Sequence, residues 1–288
     1  MVTQSHAPWG LARISHRART SNPDTYYYSD TAGRGTRVYV LDTGIRLTHS
    51  EFGPPASRRA VWGANFVPSS PDADEDGHGT HVAGVIAGRT YGVAKKATVV
   101  AVKVLDKTGT GSMSGLLRGL NWAVDDAKRR GVVRRAVVNM SLTGARTESV
   151  NDGVRAAAEA GMTVVVAAGN DGGDVAEWSP ASAASAVTVG AMDKEDRRAE
   201  FSNWGKEVDV FAPGVGVESA SNESDKATGA LSGTSVAAPH VAGLAAYFIA
   251  REGLSGSAVK KRVLSAANKG VSDRKGSADR IAYNAGGA

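Results

Sequence analysis

Gly233-Thr234-Ser235-Val236-Ala237-Ala238-Pro239-His240-Val241-Ala242-Gly243 is the stretch on which the reading of this chain turns. Gly233 lets a loop turn tightly, and a long apolar segment, Val236 to Ile249, follows. Small residues at Ala237, Ala238, Ala242, Gly243, Ala245 and Ala246 predict a helix packed closely on all sides. Pro239 is expected within about the first turn, where a missing N–H does little damage. A serine at the start of such a helix lies beside unpaired backbone N–H groups and the positive end of the helix dipole, a place that favours an oxyanion. Thr234 or Ser235 can equally be a plain helix cap. On this stretch alone both readings stand.

Two further stretches bear on the choice. Val38-Tyr39-Val40-Leu41 reads as a buried parallel strand, with Asp42-Thr43-Gly44 at its end. Asp76-Gly77-His78-Gly79-Thr80-His81-Val82-Ala83-Gly84 is again a glycine-punctuated loop running into a small-residue helix. Asp42, His78 and Ser235 thus occur in the order Asp, His, Ser, one of several orders that build the same nucleophilic triad.

Strand-like runs recur at 37–41, 98–104, 136–140, 163–168 and 186–189, separated in several places by helix-like segments at 80–87, 112–130 and 148–160. The alternation predicts an α/β fold, a mostly parallel sheet with helices on both faces. Ligands bind such sheets beyond the carboxyl ends of the strands. Asp42, Ser141 and Asn170 each fall just past a strand-like run. No linker, charge block or repeat divides the 288 residues, so one domain spanning 1–288 is expected.

The composition narrows the function classes. The net charge of +5 is dispersed, and its clusters, Lys128-Arg129-Arg130 and Arg134-Arg135, fall at a helix end where cations oppose the dipole. That reads as a solvated helix terminus, with no nucleic-acid partner. The absence of cysteine excludes disulfides, thiolate metal sites and a cysteine nucleophile. No apolar run has the length of a membrane helix, so no membrane partner is expected.

Serine is a poor nucleophile at its own pKa, and His78 is suited to take its proton because imidazole titrates near neutrality. Asp42 would accept the other ring N–H, fix the tautomer and stabilise the imidazolium. His78 and His81, three apart, also invite a metal reading. A metallopeptidase helix of that kind carries His-Glu-x-x-His, and Gly79-Thr80 stand between these two instead. His81 is therefore expected to be a packed helix residue.

LDTGI, DGHGTHVAG and SGTSVAAPHVAG together resemble the motifs of the subtilisin-like serine proteases. APWGLARIS, YYYSDTAGRG, RTYGVAKKA, VKVLDKTGTGS, NMSLTG, VVAAGN, SPASA and FSNWG are similar, in order, to the proteinase K and fungal alkaline protease branch. The resemblance runs from Ala7 to about Gly253; the tail beyond carries no recognisable pattern. It implies a secreted serine endopeptidase of broad specificity, monomeric, acting on proteins and peptides. By that resemblance the chain is expected to correspond to the mature part, without signal or pro-region. The rival is a homologue that binds peptides without cleaving them, although no triad member is missing.

By the same resemblance, Asn170 is the side-chain donor of the oxyanion hole, with the Ser235 N–H as its backbone partner. Gly109, Gly111 and Met113 on one edge segment and Ser141, Leu142 and Gly144 on the other would hold an extended peptide through its main chain. Ala167, Ala168 and Gly169 would wall an S1 pocket open to large apolar or aromatic P1 side chains. Leu105, Met113, Leu116 and Leu142 would form an apolar S4 site. A structural calcium ion (Ca2+) would bind Asp209 with the carbonyls of Ala184 and Ala186. Three residues depart from the family pattern: Thr143 for glycine, Val82 for the cysteine beside the catalytic histidine, and Val236 for the methionine after the nucleophile.

Overall fold

In a computed structural model, which describes residues 1–19 and 24–286, seven strands form one sheet. In chain order they are β1 (Arg37–Asp42), β2 (Ala60–Asn65), β3 (Thr98–Lys103), β4 (Ala136–Met140), β5 (Thr163–Ala167), β6 (Val187–Met192) and β7 (Val210–Pro213). Their spatial order is β7-β6-β5-β4-β1-β3-β2, and every neighbouring pair runs parallel. The helices are α1 (Trp9–Ser15), α2 (His78–Ala87), α3 (Met113–Arg129), α4 (Glu148–Glu159), α5 (Thr234–Glu252) and α6 (Ser257–Ala266).

The strands are buried on both faces because their alternate side chains enter two different cores. Val38 and Val40 of β1, Val165 of β5 and Val187 and Val189 of β6 pack with α2 and α5. Tyr39 and Leu41, Val138 and Met140 of β4, and Val164 and Val166 of β5 turn the other way, onto α3 and α4. This is the near-continuous apolar strand pattern that a parallel sheet covered by helices requires. The α/β reading with helices on both faces is borne out.

Helix α5 is buried on all sides from Val236 to Ile249, as its small residues predict. At Gly243 an added Cβ would lie 2.6 Å from Val93 Cβ, so nothing larger fits at that crossing. Pro239 is deeper in the helix than expected, at its sixth residue. The proline lacks the N–H that would bond to the Ser235 carbonyl four residues back. The Ser141 hydroxyl supplies that bond instead, at 2.7 Å.

Four of these elements were not anticipated: the edge strands β2 and β7, and the helices α1 and α6. Strand β2 is only half-buried beyond Ala60, and β7 is very short, so neither shows a full apolar run. The tail also has structure of its own. Phe211 N–H donates to the Arg280 carbonyl and Ala282 N–H to that of Phe211, which extends the β7 edge. The basic cluster does end a helix: Arg129 and Arg130 reach Asp126, which also accepts a 2.9 Å hydrogen bond from the Tyr39 hydroxyl. Among the described residues no helix is long and apolar enough to cross a membrane.

Candidate active site

Strand β1 delivers Asp42 to the carboxyl edge of the sheet, fully buried. Its Oδ1 accepts from the Thr43 N–H at 2.8 Å and faces His78 Nδ1 at 2.8 Å. Thr43 Oγ1 accepts from the Gly79 N–H, which fastens the strand end to the first turn of α2. The glycines around His78 are there for space. A Cβ on Gly79 would meet the Gly44 carbonyl oxygen at 2.1 Å, and Gly77 holds φ at 108° with Asn222 against it.

Asp74 organises this corner. Its carboxylate accepts from Thr43 Oγ1, from the N–H groups of Asp76, Gly77 and Thr80, and from Thr80 Oγ1. Asp76 accepts from the His78 N–H. His78 is therefore surrounded by carboxylates. Burial works against a charge on its ring. The Asp42 carboxylate outweighs that by charge and hydrogen bond, Asp76 and Asp74 add to it, and the imidazole is raised to about 9.

His81 behaves as a packed residue. Its Nε2 lies 2.9 Å from the Val217 carbonyl, and burial pulls the ring down to about 4. Val82 lies in the core of the α2–α5 face, and Val236 packs with Val85 and Val217. Both departures from the family pattern are apolar side chains in apolar surroundings.

Gly233, not Thr234 or Ser235, is the cap residue of α5, so the plain-cap reading does not hold. Thr234 is tied to Asn170 by two bonds: its N–H and its hydroxyl both donate to Asn170 Oδ1 at 2.8 Å. The Thr234 hydroxyl also accepts from the Gly169 N–H. With Oδ1 so occupied, the Asn170 Nδ2 amide is the end left to face the cleft. A Cβ built on Gly233 would lie 3.0 Å from Ser235 Oγ and 3.4 Å from Asn170 Nδ2, which shows how closely these two groups converge. Ser235, second in the helix, has an N–H with no carbonyl four residues back within it.

Asp76, His78, Asn170, Thr234 and Ser235 line one cleft of about 650 Å³. Among the described residues no hydrogen bond joins Ser235 Oγ to His78; in such sites this bond tightens when substrate binds. Both edge segments border the cleft, with Gly109, Gly111 and Met113 on one side and Ser141, Leu142, Thr143 and Gly144 on the other. Leu105 and Leu116 complete its apolar end.

Several expected residues act otherwise. Ala167 lines the cleft, but Ala168 points into the core with Met192 and Phe211, because successive side chains along an extended chain face opposite ways. Gly169 turns at φ 101°, and a Cβ there would run into Asn203 Nδ2 at 2.3 Å. Ser141 is almost wholly buried; its hydroxyl accepts from Asn139 Nδ2 and holds the Ser235 carbonyl. It thus positions the first turn of α5. Gly144 already pairs with Ser179 in a short antiparallel ladder. Asp209 does converge with the Ala184 and Ala186 carbonyls, but the group these oxygens surround is the ammonium of Lys260. As arranged, they do not fit a calcium ion.

Sequence reasoning missed the positioning roles of Thr234, Asp74, Asp76 and Ser141. For Ser141 the available signal was Pro239, four residues after Ser235, which means that something else must bond the Ser235 carbonyl. Nothing local marked Asp74 among its acidic neighbours.

The family model described as the Subtilase family matches residues 33–283. A relative named subtilisin-like protease 2, from Pseudogymnoascus destructans, is 53% identical over 100% of this chain and 70% of its own length. A cuticle-degrading serine protease of Arthrobotrys oligospora is 50% identical over 98% of this chain and 69% of its own. A solved cold-adapted subtilisin-like serine proteinase is similar at a TM-score of 0.90 and 39% identity, covering 97% of this chain and 99% of the other.

Two outcomes are expected from this geometry. If His78 acts as a general base it works only when neutral, so kcat/KM should rise with pH along a limb whose midpoint lies above the ordinary 6.5, towards 9. Asp76→Asn should move that limb down. A pH–rate profile with its midpoint at or below 6.5 would remove the carboxylates from control of His78. Second, Thr234→Val keeps the N–H bond to Asn170 but removes the hydroxyl. It should lower kcat about tenfold with KM little changed, against roughly 10²–10³ for Asn170→Ala. Steady-state kinetics on one amide substrate would read both, and a change confined to KM would contradict the positioning role of Thr234.

Proposed function

Since this chain belongs to the subtilase family and is a subtilisin-like serine endopeptidase, we propose that Ser235, His78 and Asp42 carry out peptide-bond hydrolysis through an acyl-enzyme, with Asn170 as an oxyanion donor. The observation behind this is the convergence, at one edge of the sheet, of the 2.8 Å Asp42–His78 contact with Ser235 and Asn170 at the start of α5.

In this reading Ser235 Oγ attacks the carbonyl carbon of the scissile bond while His78 Nε2 takes its proton. The imidazolium donates from Nδ1 to Asp42, which stays ionised. The oxygen of the tetrahedral intermediate accepts from Asn170 Nδ2 and the Ser235 N–H, donors held before the reaction begins. His78 returns the proton to the departing amine. Water then repeats the sequence on the acyl-enzyme and frees Ser235.

The substrate would lie extended between the two edge segments, held by main-chain hydrogen bonds that read no side chain. Ala167 and the small residues Gly144 and Ala145 leave room for a large apolar or aromatic P1 group. Leu105, Met113, Leu116 and Leu142 form an apolar end for P4. Thr143 adds a β-branched side chain to the second edge and stiffens it. Action outside the cell accords with a relative named for degrading cuticle.

A sulfonyl fluoride should label Ser235 and abolish hydrolysis, and Ser235→Ala should lower kcat by several orders of magnitude with the melting temperature unchanged. A clean preparation of that variant keeping a tenth of the activity would end the assignment.

Peroxide offers an independent check of the surroundings. Met1 and Met113 are 69% and 47% exposed, whereas Met140, Met162 and Met192 are buried, and the position after the nucleophile holds no sulfur. Oxidation should reach Met113 and weaken turnover of peptides with a large apolar P4 group, while a small ester with no P4 group is still cleaved. The measurement is turnover of both substrates, with oxidised sites mapped by mass spectrometry. Loss of ester cleavage with only methionines modified would show that the nucleophile's surroundings are not protected.

A further inference from the structure

Asp209 stands immediately before β7 and joins it to β6, its Oδ2 accepting from the Thr188 N–H at 3.0 Å. The loop leading into β6 turns the carbonyls of Ala184 and Ala186 towards the same point. Into that point α6 projects Lys260. Its Nζ lies 2.9 Å from Asp209 Oδ2 and donates to the Ala184 carbonyl at 3.1 Å and to the Ala186 carbonyl. An ammonium has three N–H donors and no acceptor. Three oxygens receive them, and one of the three carries the charge that balances it.

Calcium asks for something different: six to eight oxygens at 2.3–2.6 Å, with waters completing what the protein lacks. Here three protein oxygens stand at hydrogen-bonding distance around a group that is already positive. A divalent ion at the same point would touch the ammonium, so calcium can enter only if Lys260 leaves. The lysine side chain is 24% exposed, so solvent is within its reach.

We infer that Lys260 is a resident cation that has taken over the family's calcium position, making this anchor between α6, the 184–186 loop and the β6–β7 edge independent of metal. The consequence is thermodynamic. A bound metal stabilises the fold by an amount set by its free concentration, whereas a cation tethered to the chain is always present. A surface pair of this exposure contributes modestly; its distinguishing property is insensitivity to chelation.

The test uses the whole chain in a Ser235→Ala background, which prevents self-digestion and makes the readouts independent of catalysis. Melting curves are recorded in excess chelator and in millimolar calcium for the Lys260 form, Asp209→Asn, Lys260→Met and the Lys260→Met/Asp209→Asn pair. Calcium stoichiometry is measured by equilibrium dialysis. With Lys260 present, Asp209→Asn should leave both the calcium-induced rise in melting temperature and the stoichiometry unchanged. Lys260→Met keeps the apolar stem but not the charge. It should melt roughly 2–4 °C lower in chelator, recover in calcium and bind one more calcium than its parent, and Asp209→Asn should abolish that gain. If Asp209→Asn costs the Lys260 form a bound calcium, the position is a working metal site and the inference fails. It fails equally if Lys260→Met gains no calcium, since the cage would then not be one that a metal can use. Should Lys260→Met not fold, the comparison of the Lys260 form with Asp209→Asn still decides the first point.

Discussion

The close burial of α5 is the constraint on which the rest depends. A helix surrounded by sheet on one side and by α2 on another must carry small residues where its neighbours cross it, and Ala237, Ala238, Ala242 and Gly243 meet that need. An element so enclosed cannot shift without opening the core, so its first turn is held in place. Ser235 and Thr234 inherit that fixity. Orientation held in advance is what allows donors to act on a developing oxyanion without reorganising during the reaction.

Two hydroxyls connect this packing to the chemistry. Thr234 holds the oxygen of Asn170 and so decides which end of the amide faces the cleft. Ser141 bonds the carbonyl that Pro239 leaves unpaired, at Ser235 itself. Neither hydroxyl is placed to take part in bond making. Each removes a freedom that would otherwise have to be lost in the transition state.

The electrostatics of the corner come from three carboxylates arranged unequally. Asp42 touches the imidazole, while Asp74 is spent on the hydroxyls and N–H groups of the loop and first turn of α2. Asp76 bonds the backbone of His78. Together they hold a proton on the ring more firmly than a lone partner would, which suits the role proposed for His78, since the carboxylates stabilise the charge the ring would take up. At the opposite end of the chain, Lys260 meets Asp209 in a single tethered pair.

Much of this was legible in the residue order. Asp42, His78 and Ser235 each sit in a short stretch whose glycines and small neighbours are required locally, by a strand end or a helix start. The central strands were legible too, because burial on both faces demands continuous apolar runs, whereas β2, β7 and α6 answer only partly to that demand and escaped notice. Ala168 could be assigned to the wrong side because one step along an extended chain reverses a side chain, and the sequence does not say where the step falls relative to the cleft. The occupant of the oxygens around Asp209 was beyond sequence altogether. Lys260 lies about fifty residues further on, in a helix with no motif, and only the docking of α6 brings its ammonium among them. Local stereochemistry is written in neighbouring residues; which distant charge fills a given place is decided by how the elements pack.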